Sequence, residues 1–255
     1  MLVMGDVNFG DFIDVNKKIL SGELFDNFKR NPVYFAILEH VSHEQGLDYL
    51  QYIRNEYPHL LDVEFIERCK ENDSIGNPYV SQFDDFGMIS ATIFRYIKVM
   101  GDIEKLIGSL DGLNIIEIGA GNGGQCSIIS KYFDYKSYTL VDLDDVVSVQ
   151  KKCLDILSVP NVHIKTINDL SPNDSYDLVI SNYAFSECPA HVKRIYTDNI
   201  LYNSINGYIT MNMENVIPYK NKLIADLRNK SYTILDEIPK TANDNYIFTW
   251  GESDK

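Results

Sequence analysis

The run Ile115-Ile-Glu-Ile-Gly-Ala-Gly-Asn-Gly-Gly124 constrains this chain more than any other stretch, because an apolar strand breaks at once into a glycine turn. Four glycines within six residues suit a backbone that must reach positive φ and let a ligand approach closely. Gly119, Gly121 and Gly124 satisfy G-x-G-x-x-G, a pattern shared by sites for nicotinamide dinucleotides and for S-adenosylmethionine. A tight strand-to-helix turn with no ligand is the bland alternative.

The pattern around this turn predicts a parallel sheet. Short β-rich runs at 114–118, 137–141, 162–167, 177–181 and 208–213 alternate with amphipathic stretches at 122–133, 144–157, 189–204 and 218–230. Each connection is long enough for a right-handed crossover. The end of the chain breaks the rhythm: strand-like runs at 232–238 and 246–250 are joined by 239–245 alone. So short a link forces an antiparallel pair. The expected fold is therefore α/β and Rossmann-like, mostly parallel with an antiparallel last strand.

Upstream, residues 11–72 place apolar side chains at helical spacing, as in Phe35, Leu38, Val41, Leu47, Leu50 and Ile53. Asn31-Pro32 and Tyr57-Pro58 should divide this region into two or three helices. The turn-rich segment Asn72–Tyr79 leads to a further helix from about Met88. This predicts a helical N-terminal region over 1–110, on the substrate side, and a cofactor-binding Rossmann-like catalytic domain over 111–255.

Charge narrows the partners. Against 23 Lys+Arg stand 37 Asp+Glu, a formal net charge of −14, which repels phosphate backbones and anionic membranes. A nucleic-acid partner is disfavoured, and no apolar run is long enough to insert in a bilayer. The first residues lack the pattern of a secretion signal, so a cytoplasmic location is expected. Cys69, Cys126, Cys153 and Cys188 form no C-x-x-C pair and read as ordinary thiols. His40 and His43 have a spacing that can share one helical face, but no third ligand stands near them, so no metal is assigned.

Asp142 follows the second strand roughly 20 residues after the first glycine, where a carboxylate can accept from both hydroxyls of a ribose. It also suits the N-cap of the next helix. Leu143 accompanies it. Asn168 and Asp169, after the third strand, can accept from an adenine amine, or can form a turn before Pro172. A carboxylate on the ligand needs a cation; Arg95 is the candidate, with Tyr79 closing over it, and a surface ion pair is the alternative for Arg95.

Three stretches together resemble the sugar O-methyltransferase family within the class I S-adenosylmethionine-dependent methyltransferases. They are Glu117-Ile-Gly-Ala-Gly-Asn-Gly-Gly-Gln125, Tyr138-Thr-Leu-Val-Asp-Leu-Asp-Asp-Val146 followed by Gln150, and Tyr176-Asp-Leu-Val-Ile-Ser-Asn-Tyr-Ala-Phe-Ser-Glu187. Gly76-Asn-Pro-Tyr79 and Arg95-Tyr96 are similar too, and the resemblance runs over about 72–215. Asp144 stands where the family has proline, a change confined to a helix start. Glu117, two residues before the first glycine, gives the E-x-G-x-G-x-G of the class I methyltransferases, and the antiparallel sheet end is similar to theirs.

The resemblance implies S-adenosylmethionine as cofactor, S-adenosylhomocysteine as product and a sugar or nucleotide-sugar hydroxyl as acceptor, in a surface polysaccharide or glycan pathway. It implies cofactor contacts from Glu117, Gly119, Gly121, Asp142, Leu143 and Asn182. Asn182-Tyr183 lacks the two prolines of the Asn-Pro-Pro-Tyr motif of many amino-group methyltransferases, which favours oxygen over nitrogen. A base is wanted after the fourth strand, and Glu187 and His191 are the candidates. Glu187 could instead cap the next helix or hold Tyr183, and His191 could simply face solvent. A divalent metal held by Asp145, Glu187 and Glu214 is the less favoured mechanism. Other readings remain: a methyltransferase of another small molecule, a nicotinamide-dependent oxidoreductase, or a non-catalytic S-adenosylmethionine-binding subunit. A homodimer is compatible with each.

Overall fold

The computed structural model describes residues 9–212 and 231–251. The chain divides into two compact units. The first takes Met1–Asp102, Gly121–Tyr132 and Asp144–Pro160; the second takes Ile103–Ala120, Phe133–Leu143 and Asn161–Lys255.

The second unit is built on a seven-stranded sheet. Its strands are β3 (Asn114–Ile118), β4 (Ser137–Val141), β5 (Val162–Lys165), β6 (Tyr176–Asn182), β7 (Ser204–Met211), β8 (Tyr232–Asp236) and β9 (Tyr246–Trp250), in the order β5-β4-β3-β6-β7-β9-β8. The five strands from β5 to β7 are parallel, and β9 runs antiparallel to both β7 and β8. The order reverses beside β3, so the glycine turn leaves the sheet at the switch point where ligands of open α/β sheets collect. Interior strands read as nearly continuous apolar runs and are buried almost throughout, whereas the edge strands β5 and β8 are half-exposed. The core includes Ile116, Ile118, Val141, Val179, Phe185, Ile209, Phe248 and Trp250.

Three of the predicted strands have the expected bounds. The third ends early because Thr166 caps a 3₁₀ turn over Ile167–Asp169, and the run through 232–238 stops at Asp236. The fifth begins earlier than expected, at Ser204. The expected helix 189–204 is α9 (Ala190–Tyr196), continued by a π turn over Thr197–Leu201, and a short α8 (Ala184–Glu187) precedes it. The expected helix 218–230 lies outside the described residues.

The first unit holds α1 (Phe9–Leu20), α2 (Pro32–Tyr34), α3 (His43–Glu56), α4 (Val63–Cys69), most of α5 (Ala91–Ile107), α6 (Gly124–Ser130) and α7 (Asp144–Ile156). Its core joins Phe12, Val15 and Ile19 of α1 to Val146, Val149 and Cys153 of α7, with Phe28, Tyr34 and Ile75. Pro32 starts α2 rather than merely breaking a helix: it occupies the first turn, where its missing N–H costs nothing, and the Asn31 side chain accepts from Val33 and Tyr34. The helix then widens into a π turn over Phe35–Glu39.

The helix expected from Met88 begins at Ala91, because the preceding residues pair as a hairpin, β1 (Ser81–Phe83) with β2 (Gly87–Ile89). His40 and His43 do not share a helical face. His40 ends the π turn, whereas His43 opens α3 and packs its ring 4.8 Å from that of Phe83. Among the described residues, the four cysteines are free, no cluster of three or more His, Cys, Asp or Glu could hold a metal, and no helix is long and apolar enough to cross a membrane.

Candidate functional site

In the second unit the predicted residues gather at the carboxyl ends of the central strands. Glu117, near the end of β3, is 2% exposed and takes one hydrogen bond, from the Tyr138 hydroxyl at 2.8 Å. Burial pushes its pKa up to about 8, with the nearby Asp142 charge adding to the rise and the Tyr138 bond opposing it. A carboxylate can accept about four hydrogen bonds, so Glu117 keeps most of its capacity.

Two residues on, Gly119 has φ 72° and donates its N–H to the Val141 carbonyl at 2.9 Å. A Cβ here would lie 2.1 Å from that of Ala184, so the close approach of α8 as well as backbone conformation requires glycine.

After β4, the Asp142 carboxylate accepts from the Leu143 N–H at 2.9 Å, and Leu143 itself is exposed. The Asp142 charge adds to the raised pKa of Cys188 and Tyr196, for which burial is the main cause, as it does for Glu117.

After β5, Asp169 is committed locally. Its carboxylate accepts from the N–H and hydroxyl of Thr166, both at 2.8 Å, and these bonds lower its pKa. Asn168 is exposed, and its side-chain amide has no partner among the described residues. Of the two adenine candidates, Asn168 is therefore the one with bonds to give.

The end of β6 carries the most unusual backbone. Tyr183 has φ 67°, a left-handed conformation that costs a bulky side chain. Its hydroxyl donates to Glu237 and lies 3.1 Å from the Thr241 hydroxyl. Buried Glu237 also accepts from the Thr241 N–H and hydroxyl and from Asn245, which pins the β8–β9 connection to Tyr183. Just before it, the side-chain oxygen of Asn182 is buried without a partner among the described residues, a state that a ligand donor would relieve.

Glu187 ends α8, donates its N–H to the Tyr183 carbonyl at 3.3 Å and accepts from the Asn212 side chain; its carboxylate caps neither α8 nor α9. Crowding by protein raises its pKa, opposed by the Asn212 bond and by Lys193, whose own pKa burial lowers. His191 is an exposed residue of α9. Glu214 lies outside the described residues.

In the first unit, Gly121 has φ 58°, and a Cβ there would come 2.9 Å from Leu38 Cδ2. Arg95 is half-buried on α5, donates to the Leu38 carbonyl at 3.0 Å and stacks its guanidinium 5.5 Å over the Tyr96 ring. Tyr79 is exposed, edge-on to Phe35, with Arg30 4.7 Å over its ring.

The sequence reading missed a buried network here. The Asn122 amide donates to Glu39 Oε1 at 3.3 Å, Thr92 donates to Glu39 Oε2 at 3.3 Å, and Lys29 stands 4.0 Å from Glu39. Glu237 and Asn212 were missed too. All are polar residues given meaning by distant partners, a relation that neither periodicity nor motif carries.

The strand order, with an antiparallel strand seated between β7 and β8, a glycine turn after β3 and an acid after β4, is the mostly parallel Rossmann-like sheet expected from the sequence. No protein-family model matches the chain. It is 30% identical over 88 residues to a protein-L-isoaspartate O-methyltransferase of Pyrococcus abyssi, a match covering 33% of this chain and 39% of that protein. The chain thus spans well under half the length of the curated relative. Among solved structures, protein 1320 of Thermoplasma acidophilum superposes with TM-score 0.47 and 14% identity over 76% of this chain and 100% of that one. An rRNA methylase of Streptococcus thermophilus gives 0.47 and 14% over 59% and 93%. A precorrin-6y C5,15-methyltransferase of Geobacter metallireducens gives 0.45 and 13% over 61% and 88%.

Proposed function

We propose that the chain is an S-adenosylmethionine-dependent O-methyltransferase whose acceptor is a hydroxyl of a sugar or nucleotide sugar. The observation that carries this reading is the topology: a glycine turn leaves the central strand of a methyltransferase-type sheet, with Glu117 beneath it and Asp142 on the adjoining strand end. The unpartnered Asn182 oxygen and the spare acceptor capacity of Glu117 fit a ligand rich in N–H and O–H groups. Oxygen as the acceptor atom is supported by the motif after β6, and the partial relative is likewise an O-methyltransferase.

In this reading Glu117, Gly119, Gly121 and Asn182 are each assigned to the methionine end of the cofactor. Asp142 accepts from the ribose hydroxyls, beside Leu143, and Asn168 faces the adenine, with Asp169 shaping its turn. Arg95 meets the methionine carboxylate and Tyr79 covers it. S-adenosylmethionine supplies a sulfonium methyl group that the acceptor oxygen takes in an in-line displacement, leaving S-adenosylhomocysteine. Glu187 draws off the hydroxyl proton; burial raises its pKa above the usual carboxylate range, which makes it the stronger base. His191 is the second candidate base.

The acidic surface favours a small acceptor in the cytoplasm over a nucleic acid. Residues 1–110 are assigned to acceptor selection and to a homodimer contact, and 111–255 to catalysis.

The test is incubation with labelled S-adenosylmethionine and a panel of nucleotide sugars, read by mass spectrometry. A methylated sugar is expected. Cofactor binding with no methylated product across a broad acceptor panel would instead indicate a non-catalytic subunit.

A further inference from the structure

We propose that Glu39 is a positioning residue for the glycine turn. By holding Asn122, it keeps residues 121–124 in the shape that receives the cofactor. The inference rests on the assignment of that turn to S-adenosylmethionine.

Asn122 sits inside the turn and uses both ends of its amide. Its oxygen accepts from the Gly124 N–H at 3.0 Å, and its nitrogen donates to Glu39 Oε1 at 3.3 Å. The two side chains are 6% and 7% exposed, so water does not compete freely for either bond. Glu39 thereby fixes which way the Asn122 amide faces, and the amide in turn fixes the Gly124 N–H.

Two further contacts converge on the same turn, the first of them from the same π turn. Leu38 fills the space beside the Gly121 Cα, and the Leu38 carbonyl is tied to Arg95. Lys29, paired with Glu39, also donates to the Asn72 carbonyl at 2.9 Å, and Asn72 reaches the Gly124 carbonyl at 3.5 Å.

Burial raises the pKa of Glu39 even though Lys29 and Arg95 oppose the rise. Keeping a carboxylate here is costly, and an apolar side chain of similar size would fill the space at less expense. What it could not do is accept from Asn122. π turns are rare and concentrate at functional sites, and this one brings residues 38 and 39 together onto the glycine turn.

The test is calorimetric titration of S-adenosylhomocysteine into wild type, Glu39→Gln, Glu39→Ala, Asn122→Ala and the two double variants, with folding checked by circular dichroism and melting. Tyr57→Phe serves as control; it deletes another buried bond of the same unit, to Asp102, and should lower melting without changing affinity. Asn122→Ala should weaken binding about tenfold, the scale of one hydrogen bond to a charged group. Glu39→Gln, which keeps an acceptor oxygen, should retain most of the affinity. Glu39→Ala should lose as much as Asn122→Ala, and combining Asn122→Ala with either Glu39 variant should add little.

Unchanged affinity in Asn122→Ala, or losses that multiply in the double variants, would overturn the inference while wild type still binds. Absence of binding by wild type would overturn the cofactor assignment itself, and this inference with it.

Discussion

Two buried glutamates, one from each unit, are satisfied in opposite ways, while the sheet unit's other buried glutamate, Glu237, is bonded on both oxygens as Glu39 is. Glu39, in the helical unit, is met by Asn122, Thr92 and the Lys29 ammonium. Glu117, in the sheet unit, has the Tyr138 hydroxyl alone among the described residues. A carboxylate that protein surrounds on every side is part of the framework. One left with open lone pairs at the foot of a glycine turn is waiting for donors from elsewhere. The same distinction separates Asp169, spent on its own turn, from Asn168, which is not.

The largest effect is expected from Glu187→Gln, which would sharpen the contrast between strand ends that do chemistry and a helical network that only holds shape. Turnover should drop by roughly 10²–10⁴-fold with cofactor affinity nearly unchanged. A parallel loss of affinity would mean that Glu187 lines the methionine pocket, and full turnover here and in His191→Ala would favour a metal mechanism, to be sought with EDTA.

Next comes the pH dependence of stability. Below pH 4.5 Glu117 is protonated in both folded and unfolded chains and costs nothing. Between there and about 8 the unfolded chain ionises while the folded one keeps its proton, so stability falls as pH rises; above about 8 the loss is complete. The gap corresponds to ~5 kcal/mol. Glu117→Gln should lack this slope, so denaturant midpoints measured across that window should diverge in favour of the variant. Parallel curves would show that Glu117 ionises normally and break the comparison.

A smaller loss, about 3 kcal/mol, is expected for Lys29→Met, which leaves Glu39 without its paired cation. The raised pKa of Glu39 lets it take a proton instead, so this cost should shrink in acid. A variant as stable as wild type at neutral pH would show that the pair contributes nothing. The smallest effect is Tyr138→Phe, about 1 kcal/mol at alkaline pH, where the lost bond is to an ionised Glu117.

Legibility from sequence followed the same division. Strands β3, β4 and β9 were expected with the bounds they have, because strands buried on both faces are short continuous apolar runs and the turn after β3 is marked by glycine. The antiparallel end followed from one short connection. The hairpin of β1 and β2 was not legible: its strands are three residues each, too short to show alternation. Glu39 and Asn122 stand 83 residues apart and Tyr183 and Glu237 54 apart, so their pairing belongs to the fold and leaves no local trace. The histidine pair failed for a related reason: a helix was assumed to continue where the π turn ends it at His40.

The most direct measurement is calorimetric titration of the protein with S-adenosylhomocysteine beside NADH. The account predicts saturable one-to-one binding of S-adenosylhomocysteine that Asp142→Ala sharply weakens, and no heat from NADH. Binding of NADH with none of S-adenosylhomocysteine would contradict it.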